Sequence, residues 1–233
     1  MRIVPSFSAS TVLLLSAPFA AHATASSHGA HTLPPTPTNA LELERRIVAI
    51  ARANTTRVDN REEVRASLEP LVRELLARVP DKPESADAPL VTGAWKSEWS
   101  NLFIDPRADL SRVYQVVFPE GFYYNVSLYT LGATTRTNFL RGAFTDAGDF
   151  LDIRFTSDGF APAWLPTGTD LVTAARLVED GFLPLEADAG SRAVGRRGTL
   201  RNAYVSRYLR VVTGESETQF DRLFILTRAG RVP

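Results

Sequence analysis

The 233-residue chain contains no cysteine, which excludes disulfides, thiolate nucleophiles and cysteine-ligated metals. Histidine is nearly as scarce. His22, His28 and His31 are the only three, and all precede the first helix-like pattern. From residue 39 onward the chain therefore offers no serine–histidine catalysis, no histidine-ligated zinc and no imidazole acid–base chemistry. Lysine occurs only at Lys82 and Lys96. The 26 basic residues, nearly all arginine, are balanced by 26 acidic ones, which argues against a dedicated nucleic-acid binder. No glycine-rich phosphate loop ending in Lys-Ser/Thr and no Gly-x-Ser-x-Gly elbow occurs. Asp149 with Asp152, and Glu179 with Asp180, are carboxylate pairs of the kind used in acid–base work. Both fall where turns are expected, with no nucleophile or metal ligand beside them. The expectation is a non-enzymatic protein without catalytic residues, metal or cofactor.

A hydrophobic fraction of 44% is enough to build a core without a metal or covalent staple. The N-terminus has the form of an export signal. A short basic start, Met1-Arg2, precedes the apolar run from Thr11 to Ala21, and Ala21-His22-Ala23 places small residues at the two positions a signal peptidase reads. Cleavage after Ala23 makes residues 1–23 a signal peptide and gives a periplasmic or secreted protein. The acid-free leader also suits a two-step route into a plastid. Residues 24–38, rich in Ser, Ala, Pro and Thr, read as a disordered linker.

Residues 39–79 read as a helical pair. Asn39-Ala-Leu-Glu42 and Asn60-Arg-Glu-Glu63 both place Asn three residues before Glu, a capping-box variant. Leu43, Ile47, Ile50 and Ala51 share one face of the first helix. Val64, Leu68, Leu71, Val72, Leu75, Leu76 and Val79 form the stripe of the second, with Pro70 expected to kink or divide it. Packing of the pair across one end of a barrel is expected, and a membrane-surface role is the alternative for its arginine-bearing faces. The prolines from Pro80 to Pro89 close the helical part.

Residues 90–230 read as strand and turn. Gly93, two residues before Trp95, allows a tight bend as a large ring enters the core. From there Trp95, Ser97 and Trp99 alternate against Lys96 and Glu98. Further strands are expected at 111–118, 122–131, 136–145, 150–157, 170–177, 199–212 and 221–227, with turns at Pro119-Glu-Gly121 and Asp146-Ala-Gly-Asp149. The loop 159–168 carries Trp164. Seven or eight antiparallel strands suit an up-and-down barrel, so the fold class is mainly β with N-terminal helices. A filled sandwich shows the same alternation.

Several features in order resemble the plastid lipid-associated proteins, or fibrillins. They are Val79-Pro80-Asp-Lys-Pro83, Leu90-x-x-Gly93-x-Trp95, Val113-Tyr-Gln115, Tyr124-Asn125-Val126, Asn202-Ala-Tyr204, Tyr208-Leu-Arg210-Val211 with Gly214, and Leu223-Phe-Ile-Leu226. The sequence departs from that family at Ser206-Arg207, at Ser97-Glu98-Trp99 and in the insertion Glu215-Ser-Glu217. The resemblance implies a lipocalin-like barrel that binds a lipid, quinone, carotenoid or fatty acid, beside membranes or lipid bodies. Gln115, Asn125, Tyr204 and Arg210 are the candidate polar groups of such a pocket, with Trp95, Tyr124 and Phe224 as walls. Each has a structural alternative: backbone bonding for Gln115 and Asn125, core packing for Trp95, and capping of the barrel for Tyr204. Arg210 anchors a carboxylate headgroup, pairs with an acidic neighbour, or stacks on Trp95. Arg192, Arg196, Arg197, Arg201, Arg207 and Arg210 form an acid-free run, either a dock for anionic headgroups or a solvated loop. A structural coat with a filled barrel and no ligand is the competing function.

Overall fold

The computed structural model describes residues 39–78, 88–102, 105, 107–162, 165–166, 168–216 and 219–230, with backbone alone at 215–216 and 219–221. The export segment, the linker 24–38, the proline-rich stretch 80–87 and Trp164 lie outside the described residues.

Helix α1 (Ala40–Ala53) begins at its sequence signal, with Asn39 Oδ1 accepting from the Glu42 backbone N–H at 2.8 Å. Helix α2 (Arg61–Leu76) also begins where expected, yet Asn60 makes no side-chain cap. Its ψ of 23°, against 160° at Asn39, is not the extended cap conformation, and its amide donates to Asn54 Oδ1 at 3.1 Å. The second capping box is thus replaced by a bond to the end of α1. Helix α2 continues through Pro70 as one element, since the burial of Leu68, Leu71, Val72 and Leu75 offsets the lost backbone bond.

After the single turn α3 (Ala88–Val91) come β1 (Gly93–Ser100), β2 (Ala108–Phe118), β3 (Phe122–Leu131), β4 (Thr134–Asp146), β5 (Leu151–Phe160), β6 (Glu186–Ala187), β7 (Arg197–Val205), β8 (Leu209–Ser216) and β9 (Gln219–Ala229). Every pairing is antiparallel, and the β1–β9 and β4–β5 ladders close eight strands into a barrel in the order β1-β2-β3-β4-β5-β7-β8-β9. Among the described residues, strand β6 pairs only with the end of β5. Closure leaves the eight strands no free edge, as the up-and-down reading requires.

Three segments differ from expectation. Residues 171–179 form helix α4 (Leu171–Glu179) rather than a strand, with Asp170 Oδ1 accepting from the Thr173 N–H at 2.7 Å. Its apolar positions, Leu171, Ala174, Ala175 and Val178, follow the helical period, not a twofold one. The stretch 199–212 is two strands. Ser206 Oγ accepts from the Tyr208 and Leu209 N–H groups at 3.1 and 3.0 Å and turns the chain between β7 and β8. In β1 a bulge between Ser97 and Trp99 breaks the alternation, so Trp99 lies on the opposite face from Trp95.

Helices α1 and α2 cap the side wall of the barrel. Leu43, Ile47, Leu68 and Leu75 pack on Trp99, Tyr204, Leu209, Val211 and Ile225 from the outside, in place of the expected position across one end. Helix α4 covers the opposite wall, on Tyr114, Val116, Phe122, Tyr124 and Phe139. A third apolar cluster, around Trp95, Val117, Tyr123, Ile153, Val212 and Leu226, lines the interior.

Candidate functional site

Strand register decides which side chains enter the barrel. On β2, Gln115 and Val117 face inward; on β3, Tyr123 and Asn125; on β8, Arg210 and Val212; on β9, Phe224, Leu226 and Arg228. Arg210 is 2% exposed and reaches across the interior. Its Nε donates to Asn202 Oδ1 at 2.6 Å and its Nη1 to Gln115 Oε1 at 2.5 Å. Gln115 Nε2 donates in turn to Asn125 Oδ1 at 3.2 Å, so four strands share one polar layer. A guanidinium out of water needs such acceptors, and these bonds are charge-assisted. Tyr123 lies within the field of this charge. Burial pushes its phenol pKa up, and Arg210 opposes the rise.

One end of the barrel is closed by a clamp. Trp95 Nε1 donates to Val91 O at 2.7 Å. The Arg228 guanidinium lies 3.9 Å from the centroid of the Trp95 ring and donates to Thr92 O at 2.8 Å and to Leu90 O. These bonds take up carbonyls at the end of α3, which a single helical turn leaves open. Burial holds the Arg228 pKa below the usual arginine value. Of the two arginines near Trp95, Arg228 is the stacking one, since Arg210 stands at 5.9 Å and spends its donors on amides. Arg228 escaped the sequence reading, although it follows Phe224 and Leu226 at twofold spacing, which puts it on the inward face.

Between the clamp and the polar layer lies a cavity of about 160 Å³. Val91, Val117, Tyr123, Phe144, Leu151, Ile153 and Leu200 give it apolar walls, and Gln115, Asn202 and Arg210 supply its polar side. Ala88 and Thr92 of the α3 segment, Pro119 and Asp146 edge the same space and place its mouth at the clamp end. Of the seven expected site residues, Gln115 and Arg210 line the cavity. Asn125 joins it through Gln115, and Trp95 and Phe224 belong to the surrounding interior cluster.

The other two face away. Tyr124 lies under α4, where its hydroxyl donates to Glu179 Oε2 at 2.6 Å, and Arg141 grips the same carboxylate at 2.8 and 2.9 Å. The Arg141 bonds are the main reason the Glu179 pKa falls below the carboxylate range. Burial first, then the bond to Glu179, raises that of Tyr124. Tyr204 lies under α1 and donates to the buried Glu44 Oε1 at 2.6 Å. Neither tyrosine is a pocket group; each ties a helix to the outer wall. Strands covered on both faces by apolar neighbours give no sign of which face is the interior.

The remaining charges are dispersed. Arg197 stands opposite Arg154 on neighbouring strands, while Arg210 is inside, so the acid-free run does not form one surface. Glu98, only 1% exposed, lies on the outer wall and accepts from Arg52 at 3.0 Å and Thr227 at 2.6 Å, with Lys96 at 3.3 Å. Burial alone would raise its pKa, but these donors outweigh burial and lower it. Among the described residues no three His, Asp or Glu side chains converge as a metal site.

No protein family, curated protein or solved structure matches the chain.

Proposed function

We propose that this protein is a non-enzymatic binder that carries or sequesters a lipophilic small molecule in its barrel. The observation that carries the reading is the cavity of about 160 Å³, apolar on most sides and bounded by the Arg210, Gln115 and Asn202 groups on another. That combination suits a molecule with an apolar body and one hydrogen-bonding group. Size narrows the class. A cavity of about 150 Å³ accommodates benzene, so the space admits a single ring or a short acyl end. The ring of a quinone or the end of a fatty acid fits this volume, and the rest of a long chain, or most of a carotenoid, would remain at the mouth. The resemblance to plastid lipid-associated proteins favours the same ligand classes. With residues 1–23 as an export signal, the protein would act in the periplasm or as a secreted carrier, or in a plastid if the leader is read in two steps.

The same volume supports a second reading. Ligand pockets commonly span roughly 300–1,000 Å³, and much of this interior is occupied by Trp95, Arg228 and the polar layer. A coat or interaction module with a filled barrel would have this character. Organic extraction of protein purified from its native host, followed by mass spectrometry, separates the two. A carrier yields a stoichiometric lipophile that is lost in Leu151→Trp, a substitution that fills the cavity. An empty extract, together with no uptake of fatty acids, quinones or carotenoids, refutes the carrier and leaves the coat.

A further inference from the structure

We infer that Tyr123 selects the polar end of the cavity's ligand, and that this end is a neutral carbonyl, as in a ketone or an oxidised quinone, rather than a hydroxyl. The inference rests on the carrier reading, because it concerns the same cavity. Tyr123 is 4% exposed and lines the cavity together with Gln115, Asn202 and Arg210. Gly142 stands opposite it on β4, and the lack of a Cβ there leaves room for the ring. Among the described residues the Tyr123 hydroxyl makes no hydrogen bond. A buried phenol normally has a partner, and its absence in a cavity wall calls for an explanation. Tyr124 and Tyr204, by contrast, both donate to carboxylates on helices. The Tyr114 hydroxyl is also without a partner, but it lies on the outer wall in the cluster under α4. Tyr123 is the one of the four whose hydroxyl is left for a molecule that enters the cavity.

The polar layer decides which kind of group that molecule presents. Its three amide oxygens are each turned to a donor within the layer, Gln115 Oε1 and Asn202 Oδ1 to Arg210 and Asn125 Oδ1 to Gln115. Burial keeps the Tyr123 phenol protonated, and the nearby Arg210 charge attracts its oxygen lone pairs, which turns the O–H away from the guanidinium and toward the cavity. The polar side of the cavity therefore offers hydrogens rather than lone pairs. A carbonyl oxygen accepts from Tyr123 and leaves nothing unsatisfied. A hydroxyl can accept there too, but its own proton is then buried without an acceptor. The cation does not shift the choice to a carboxylate. Arg210 commits Nε and Nη1 to two different amides instead of presenting them as the fork that grips a carboxylate. For a quinone the consequence is selection by oxidation state, since the reduced ring carries hydroxyls where the oxidised ring carries carbonyls.

The test is titration of the purified protein, followed by ligand-detected NMR, with cyclohexanone, cyclohexanol and methylcyclohexane, single rings of similar size, and the same titrations on Tyr123→Phe. Wild-type protein is expected to bind cyclohexanone about tenfold more tightly than cyclohexanol. Tyr123→Phe is expected to lose that preference through weaker binding of cyclohexanone, with methylcyclohexane unchanged. Thermal melting supplies a readout that a merely structural tyrosine would not share. With no hydrogen bond to lose, Tyr123→Phe should melt at or above the wild-type temperature. A lower melting temperature overturns the proposal, because the hydroxyl then has a partner within the protein. Equal binding of cyclohexanone and cyclohexanol overturns it as well, as does a preference that survives in Tyr123→Phe. Cyclohexanecarboxylate bound more tightly than cyclohexanone by both proteins also overturns it, and transfers recognition of the polar end to Arg210. Methylcyclohexane separates this inference from the carrier reading. Its uptake with no preference between ketone and alcohol leaves the carrier standing and removes the role of Tyr123, while failure of every probe to bind removes both.

Discussion

Gly142→Ala tests whether the barrel interior is packed as described. A methyl group at this position would stand 2.4 Å from Tyr123 Cζ, 2.5 Å from Cε1 and 2.7 Å from the hydroxyl. Carbon atoms in contact sit about 3.5–4.0 Å apart, so the ring must withdraw by about 1 Å or more. It has little room. Tyr123 is buried, and Phe144 and Phe155 stand with ring centroids 6.4 and 6.3 Å away, which leaves the cavity as the direction of retreat. Overpacking of this kind costs about 1–3 kcal/mol, offset by about 0.4–1 kcal/mol because alanine restricts the unfolded chain. A net loss of about 1–2 kcal/mol corresponds to a fall in Tm of about 2–8 °C for a domain of this size. The assay is thermal or urea unfolding of Gly142→Ala, Tyr123→Leu and the double variant. With the ring gone, Gly142→Ala should be neutral or slightly stabilising, so the two substitutions couple. Equal cost of Gly142→Ala in both backgrounds would refute the contact and with it the position of the Tyr123 wall. Ligand uptake supplies a second readout, since a displaced ring occupies the cavity.

Two further substitutions test the clamp and the buried charge. Arg228→Met removes the cation from Trp95 and two donors from the end of α3, so residues 88–92 should exchange amide hydrogens faster, with a stability loss of about 1–3 kcal/mol. Unchanged exchange in that segment would mean α3 is held by apolar packing alone. Glu98 has a folded pKa below its unfolded value, despite the opposing effect of burial, because Thr227, Arg52 and Lys96 favour its charged form. Its contribution is therefore complete above the unfolded carboxylate pKa and is lost as pH falls through the folded one. Stability should decline below about pH 4, and Glu98→Gln should flatten that acid limb while lowering stability at neutral pH. An acid limb of the same slope in Glu98→Gln would assign the decline to other carboxylates.

Local signals carried much of this fold into the sequence. Asn39, the Pro119–Gly121 turn and the alternation in β3 depend on neighbours a few residues away, and each stands where it was expected. Strand 170–177 failed because Asp170 is a cap, which reverses the meaning of the apolar residues after it. The site divides on the same principle. Register places Trp95, Gln115, Asn125, Arg210 and Phe224 inside, but the choice between inside and outside at Tyr124 and Tyr204 depends on α4 and α1, which arrive from distant parts of the chain. The bulge after Ser97 is likewise invisible locally, because Trp95 and Trp99 differ in face only once β9 is paired. The cavity required residues from six strands and α3 together.

The β1–β9 ladder joins the first and last strands of the barrel, and Trp95 meets Arg228 directly across it. Until β9 leaves the ribosome the barrel is an open sheet with unpaired edges on β1 and β8, each a template for a wrong partner. Arg228 lies in the closing part of that strand, so the residue that seals the ring also fastens α3 over the cavity. Assembly and closure of the site are one late event, paced by the most distant pairing in the barrel. A chain interrupted before β9 would have an interior but no way to separate it from its surroundings.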